Sequence, residues 1–597
     1  MADRQPGGWR RLPKMSFNSK DLSRRMKRME GITTRHAHRF VVKRWSSVRD
    51  VRRHITIWVL VVGLLIAASG LQLLWYKHGY QTVAAAESGT YAEAVIGPID
   101  TLNPLFASTA AEESARTLLF SQLLRYDRSG HLNDDVASSV TINETQNVYT
   151  VNLRKDVSWH DGRPLTARDV VYTVSLLQNP AVRTNITGWN GIKIEQIDEY
   201  TVMFTLPGAY AAFRHALTFP IVPEHLLGKV DPTAIRENAF SRSPVGSGAF
   251  VFRSTQDVDQ VAQRQIIYLA RNADYYLGAP KIERFQLHVY GTHNDVVKAL
   301  NTSEVNAASG LYATEAASVH TDRYAITTKP IQSGVYALLN TQSPLLANQA
   351  IRKALQVGTN TSAIRNALGD SVKRLDLPFL EGQLTGDVPS APAFDQAAAK
   401  KMLDDAGWVM SGGIRKKDAQ ELRLDIVTVK NSDFEKVLGQ LTKQWSELGI
   451  GTTTHIVDPT DVTQNFVKDV LQGRSFDVLL YQLDIGGDPD VYAYWHSSQA
   501  SSRGLNFSNY SNAISDDTLA SARSRIEPEL RNAKYLTFAR QWLGDVPAIG
   551  LYQSALFYAS GNNIHNIESG TRLVNATDRY ANVQYWSVNQ KPVYTTP

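Results

Sequence analysis

Residues 55–76 read ITIWVLVVGLLIAASGLQLLWY, a run without a charge in which only Thr56, Ser69 and Gln72 are clearly polar. About 20 such residues span a bilayer as a helix, and backbone placed in hydrocarbon must satisfy its own hydrogen bonds. The run therefore predicts a transmembrane segment that divides the chain between two compartments. Trp58, Trp75 and Tyr76 stand at its ends, as an interfacial aromatic belt would, which argues against a buried core helix. Arg44, Arg49, Arg52 and Arg53 precede it, and only Lys77 and His78 follow. By the positive-inside rule the N-terminus is cytoplasmic and everything beyond Gly79 lies outside the cell or in the periplasm. A retained signal anchor is the preferred reading. The alternative is a cleaved signal peptide, for which Ala84-Ala85-Ala86 supplies small residues, but the run is longer than an ordinary signal core and a long leader precedes it.

Charge divides the chain in the same place. Residues 1–54 carry sixteen Lys/Arg against four Asp/Glu, and the remainder carries 47 against 53. The tail has few apolar residues before Phe40 and is expected to be disordered. Its basic clusters, residues 24–28 and 35–53, suit anionic headgroups at about 1 kcal/mol per basic residue, or they serve only to set topology. A slightly acidic body lacks the basic face that neutralising phosphates requires, so no nucleic acid partner is expected. The chain has no cysteine, which excludes disulfides, thiol catalysis, cysteine-ligated zinc and a lipidated-cysteine anchor.

Residues 149–171, YTVNLRKDVSWHDGRPLTARDVV, are the most informative part of the body. Tyr149, Val151 and Leu153 alternate with Thr150, Asn152 and Arg154 in the period of a half-buried strand. Asp161-Gly162 breaks the chain and Pro164 bars a continuing strand. Thr166 then stands three residues before Asp169, ahead of Val170, Val171, Val174 and Leu177, a capping-box start with an apolar stripe. The predicted sequence of elements is strand, tight turn, helix. A structural hydrogen-bonding role for His160-Asp161 is preferred to a catalytic one.

This segment resembles the signature of the extracellular solute-binding proteins of ABC importers, in the group that handles dipeptides, oligopeptides and nickel. The matching residues are Leu153-Arg154, Val157, Trp159-His160-Asp161-Gly162, Pro164, Thr166-Ala167 and Asp169-Val170. Pro244-Val245-Gly246-Ser247-Gly248-Ala249-Phe250 is similar to the group's Pro-x-Gly-Thr/Ser-Gly-aromatic segment. Leu339-Asn340-Thr341, Ile351-Arg352-Lys353-Ala354-Leu355, residues 397–408 and Gly486-Gly487-Asp488-Pro489-Asp490 follow in the group's order. The resemblance runs from about Tyr91 to the C-terminus. It implies an α/β, two-lobed, periplasmic-binding-protein-like fold behind the transmembrane helix. The expected organisation is tail 1–54, anchor 55–76, linker 77–90, lobe I with an extra subdomain 91–332, lobe II 333–546, and a return segment 547–597 that completes lobe I. The hinge is expected near residues 329–336 and 547–551.

Local patterns agree with an α/β second lobe. Residues 422–429 alternate as a strand, and Ser432-Asp433-Phe434-Glu435 has the form of a capping box. Phe434, Val437, Leu438, Leu441, Trp445 and Leu448 then recur at helical spacing until Gly449. A strand at 452–457, a helix at 461–471 and a strand at 476–483 complete a βαβαβ pattern, which implies a parallel sheet. Ligands of such sheets sit beyond the carboxyl ends of strands, so the loop after Leu483 is placed at a cleft edge.

The candidate ligand-binding residues are Tyr481, Gln482, Asp484, Asp488, Tyr492, Trp495 and Trp189. Peptide binders of the resembled group carry an aspartate here that pairs with the ligand's ammonium group. Counted back from Asp488-Pro489, that aspartate falls on Ile485 and the group's tryptophan on Gln482. Either a one-residue shift gives those roles to Asp484 and Tyr481, which is preferred, or the ligand is not anchored by an ammonium group. Loop capping is the alternative for Asp488 and Asp490, and an ordinary core position is the alternative for Trp189. Zinc-protease, Walker-type and nucleophile-elbow motifs are absent from the sequence, so neither an enzyme nor a cofactor is expected. The resemblance implies a monomeric receptor that captures peptides and delivers them to an ABC permease with its ATPase subunits. A tethered sensor signalling through the tail, or a binder of nickel chelates or oligosaccharides, is the alternative.

Overall fold

The apolar run folds as one helix, α1 (Trp45–Tyr80), in the computed structural model, which describes residues 45–369, 372–458, 461, 463–567 and 572–594. Within it, 51–77 is long and apolar enough to cross a membrane and is fully exposed. The helix starts inside the expected tail and outlasts the expected boundary at 76, because neither Gly nor Pro interrupts the chain from Trp45 to the apolar run. The rest of the expected tail, 1–44, lies outside the described residues. The expected linker 77–90 is also shorter, since the end of α1 and an extended stretch, Gln81–Ala85, occupy much of it.

The folded unit comprises residues 85–591. It begins with β1 (Thr90–Ile96) and α2 (Ala110–Leu119). A small antiparallel sheet follows, built from β2 (Ala137–Ile142), β3 (Val148–Leu153), β4 (Lys193–Asp198) and β5 (Thr201–Thr205) in the order β2-β3-β5-β4. The predicted strand is β3, with Tyr149, Val151 and Leu153 buried. The predicted helix is α3 (Ala167–Gln178), capped by Thr166 with its N–H donating to Asp169 Oδ2 at 2.9 Å.

Between them the signature turn is tied to the second signature segment. The His160 N–H donates to Gly246 O (2.7 Å), Gly246 N–H donates to His160 Nδ1 (3.2 Å), and Nε2 lies 3.1 Å from Gly248 O. Burial pushes the His160 pKa down to about 4, which keeps the ring neutral with one nitrogen accepting and the other donating. Gly246 and Gly248 are required because a Cβ on either would overlap the carbonyls at the end of α2, Leu119 O and Leu118 O. The shared motif residues therefore build structure here.

The main sheet has ten strands. From the first half come β6 (Phe250–Asp259), β7 (Arg264–Arg271), β8 (Arg284–Tyr290) and β9 (Ala307–Leu311). A short helix, α4 (Ala313–Ala316), leads to β10 (Tyr324–Leu339). The second half supplies β11 (Arg423–Val429), α5 (Ser432–Glu447), β12 (Gly451–Val457) and β13 (Val478–Asp484). Helices α6 (Ala513–Arg523) and α7 (Pro528–Asp545) precede β14 (Ala548–Gly561). The strand order is β12-β11-β13-β10-β14-β9-β1-β8-β7-β6. As the βαβαβ pattern implies, β11 runs parallel to both β12 and β13.

Two long antiparallel strands, β10 and β14, join the halves, and their register slips between Pro330 and Gly334, opposite Ala555 and Gln553. Core packing changes at the same point. Residues of β10 up to Ile331 and of β14 from Ala555 pack with the first half, whereas Val335 onward and Ala548 to Tyr552 pack with the second. The outward crossing matches 329–336. The return crossing is at 553–554, later than the expected 547–551, because Ile549, Leu551 and Tyr552 still contribute to the second core and Ala555 to the first.

Two local expectations are corrected. Asn431, one residue early, caps α5 by accepting from Asp433 N and Phe434 N, while Asp433 accepts from Ala313 N and Thr314 Oγ1. The helix expected at 461–471 is instead a wide π-type turn, Phe466–Gln472, capped by Asn465.

Candidate functional site

β13 ends at the junction of the halves. Along one edge it pairs with β10, from Ser333 opposite Asp484 to Leu339 opposite Val478. Along the other, β11 reaches it at Val478–Leu480, and among the described residues no strand pairs with 481–484 on that side.

Asp484 is exposed at the strand's end. Its Oδ1 accepts from Ser333 Oγ (2.8 Å) and Gln482 Nε2 (3.2 Å), and Tyr494 OH donates to its backbone carbonyl (2.7 Å). Gln482 Oε1 in turn accepts from Ser554 Oγ at 2.8 Å. One polar cluster thus spans β10, β13 and β14 beside both crossings. Among the described residues Asp484 meets no Lys, Arg or His within ion-pair distance, and its partners are neutral. Tyr481 packs between Phe466 (5.6 Å) and Phe507 (5.8 Å), and burial pushes its pKa up. Ile485, where the group's aspartate was counted to fall, is buried.

The acidic loop is committed elsewhere. Ile485 N and Gly486 N both donate to Gln332 O at 3.0 Å, fixing the loop to the outward crossing. Gly486 has φ +81°, which favours glycine. Asp488 receives both Arg531 guanidinium nitrogens, one of them at 2.7 Å, and lies 3.8 Å from His215 of the first half. Asp490 pairs with Arg523 at 3.1 Å. Asp488 also accepts from Asp490 N (3.0 Å) and Asp490 from Tyr492 N (3.3 Å), which is the loop-capping alternative.

The aromatic candidates divide. Tyr492 is stacked on His496 at 4.1 Å and carries the Arg523 guanidinium over its ring, 4.5 Å from the centroid. Trp495 is only 1% exposed, packed on Tyr336 and Trp542. Trp189 is 3% exposed among Phe204, Phe213 and Phe219. Both tryptophans are core residues rather than walls of a cleft, because aromatic neighbours cover their rings. The structure thus brings Tyr481, Gln482 and Asp484 together, with Asp488 and Tyr492 in the adjoining loop. Ser333, Ser554 and Tyr494 join the cluster without any sequence signal beyond ordinary polar residues. Among the described residues no three His, Asp or Glu side chains converge as a metal shell.

The family described as Bacterial extracellular solute-binding proteins, family 5 Middle, matches residues 131–504. The chain belongs to this family. Among family 5 relatives, the oligopeptide-binding protein AppA of Bacillus subtilis is 26% identical over 479 residues, covering 78% of this chain and 86% of AppA. The structure of B. subtilis AppA in complex with a nonapeptide superposes with a TM-score of 0.71 at 24% identity, over 84% of this chain and 99% of that one. The structure of NikZ from Campylobacter jejuni in complex with Ni(L-His) has the same TM-score at 23% identity, over 83% and 99%. These likenesses establish the two-lobed periplasmic-binding-protein fold. Family 5 membership makes this chain an extracellular solute-binding protein whose N-terminal apolar helix is compatible with anchoring in a membrane.

Proposed function

We propose that this chain is the substrate-binding component of an ABC importer and captures peptides by closure of its two lobes. Asp484 carries the reading: an exposed carboxylate with neutral partners, beside an open strand edge where the lobes meet. Its charge suits a ligand's terminal ammonium, an ion pair that strengthens as closure removes water. The free edge of residues 481–484 suits strand addition by the ligand's main chain, which gives affinity with little dependence on side chains. The relationship to AppA supports the peptide assignment.

Lobe I then comprises 91–332 with its subdomain and the return from about 553, and lobe II comprises 333–552. α1 is retained as the anchor with its N-terminus cytoplasmic, so the receptor stays beside a permease and ATPase subunits supplied in trans. Ligand binding biases the open–closed equilibrium, and the permease reads the closed form. A thermal-shift screen of the full chain in detergent tests the assignment, with di-, tri- and longer peptides, nickel–histidine and oligosaccharides as probes. A ligand at 100 times its Kd stabilises by about 2.7 kcal/mol, so a peptide must raise the melting temperature. A shift with nickel–histidine or a sugar alone overturns the peptide assignment.

A further inference from the structure

Arg523, the last residue of α6, lies between two tyrosines that belong to different lobes. Its guanidinium carbon is 4.7 Å from the Tyr210 ring centroid and 4.5 Å from that of Tyr492. It pairs with the nearly buried Asp490 at 3.1 Å, and one nitrogen lies 3.4 Å from Tyr210 OH. Alongside, Ala211 N–H donates to Arg523 O at 3.0 Å, a main-chain bond from one lobe to the other. Tyr210 is itself positioned by the small sheet, since Tyr149 OH donates to its carbonyl at 3.1 Å. That sheet shares no strand with the ten-stranded sheet that carries both crossings, so this contact lies on the subdomain and not on the hinge strands. Nearby, Tyr126 OH is 2.7 Å from His215 Nδ1, and His215 is 3.8 Å from Asp488.

We infer that Arg523 is the closure latch of this receptor, a positioning residue that clamps the first lobe's Tyr210 against the second lobe's Asp490 and Tyr492 and so sets the open–closed balance without touching ligand. A planar guanidinium suits the role because it stacks on two rings while its edge holds a carboxylate, which an ammonium cannot do equally well. Asp490 and Tyr492 keep the cation in place within lobe II, so of the contacts made by Arg523 opening breaks those to Tyr210 and Ala211. The inference rests on the proposed two-lobe closure but does not depend on the cargo being a peptide.

The test uses the full chain in nanodiscs. Because the native chain has no cysteine, Gln196→Cys in the subdomain and Asp517→Cys in α6 place two spin labels specifically, and pulsed EPR reads the distance between lobes. Without ligand, Arg523→Ala is expected to shift the distribution to longer distances, with Arg523→Lys intermediate. Tyr210→Leu should repeat the shift while leaving the Arg523–Asp490 pair intact, which keeps the test valid if Arg523→Ala fails to fold. With trialanine as probe, the release rate should rise about tenfold and the association rate should hold, a split that a general loss of structure does not produce. Unchanged distance distributions in both Arg523→Ala and Tyr210→Leu overturn the latch. A full set of distance shifts with no binding of trialanine or any other peptide leaves the latch standing and removes the peptide reading instead.

Discussion

Replacing Asp484 by Asn is the sharpest perturbation of the proposed site, because it removes a charge and little else. The side chain is exposed, and in the fold it accepts from Ser333 Oγ at 2.8 Å and Gln482 Nε2 at 3.2 Å. The amide oxygen of Asn accepts both bonds, so the melting temperature of the free protein should change little. What is lost is the charge-assisted bond to a ligand ammonium. Hydrogen bonds to charged groups contribute about 1.5–3 kcal/mol, which at about 1.4 kcal/mol per decade is roughly 10- to 100-fold in Kd. Calorimetric titration with the tightest peptide of the screen and its N-acetylated form supplies the measurement. Asp484→Asn should weaken the free peptide by that factor and leave the acetylated peptide nearly unchanged. Equal losses for both peptides would refute the assignment of Asp484 to the ammonium group.

The neighbouring acid should behave in the opposite way. Asp488→Asn breaks a largely buried pair with Arg531 and is expected to cost about 3 kcal/mol of stability, read as a lower urea midpoint even without ligand. Gly246→Ala forces a Cβ against Leu119 O and should destabilise the fold by about 1–3 kcal/mol, with no specific effect on ligands once stability is corrected for. His160, whose folded pKa is about 4 against an ordinary 6.5, is bound by fewer protons folded than unfolded between those values. Its contribution is therefore present above pH 6.5 and lost as pH falls toward 4, on the order of 3 kcal/mol. Denaturant titrations should show that slope in the native protein and a shallower one in His160→Gln.

Much of this architecture was legible because several segments obey one strong period or one hard constraint. The apolar run fixes α1, and Tyr149, Val151 and Leu153 alternate into the core as β3. The stripe from Phe434 to Trp445 is buried as the heptad-like spacing of α5 requires. β6 could not be read from its sequence, and the reason is physical. It is the edge strand of the sheet, exposed from Arg253 to Asp259, so no buried face imposes an alternation on its sequence. The return crossing was placed too early because β14 runs through both lobes without a break, and the change of partner core leaves no local mark.

The site was partly legible. A strand end followed by Gly-Gly-Asp-Pro-Asp marks the segment that the structure sets beside the outward crossing, yet composition could not divide its acids. Asp488 and Asp490 are neutralised by Arg531 and Arg523, far along the chain, and only tertiary structure separates them from Asp484. The tryptophans show the same limit from the other side. Trp189 and Trp495 lie beside Gly-rich loops in sequence, but three aromatic rings close over the first and Tyr336 and Trp542 over the second.

Hydrogen–deuterium exchange of the full chain, with and without a saturating peptide, tests the central idea most directly. Capture between the lobes predicts slower exchange at the open edge of residues 481–484 and at the crossing residues 332–336, with the peptide recovered at unchanged mass. Protection confined to other surfaces, or a peptide returned as fragments, would contradict it.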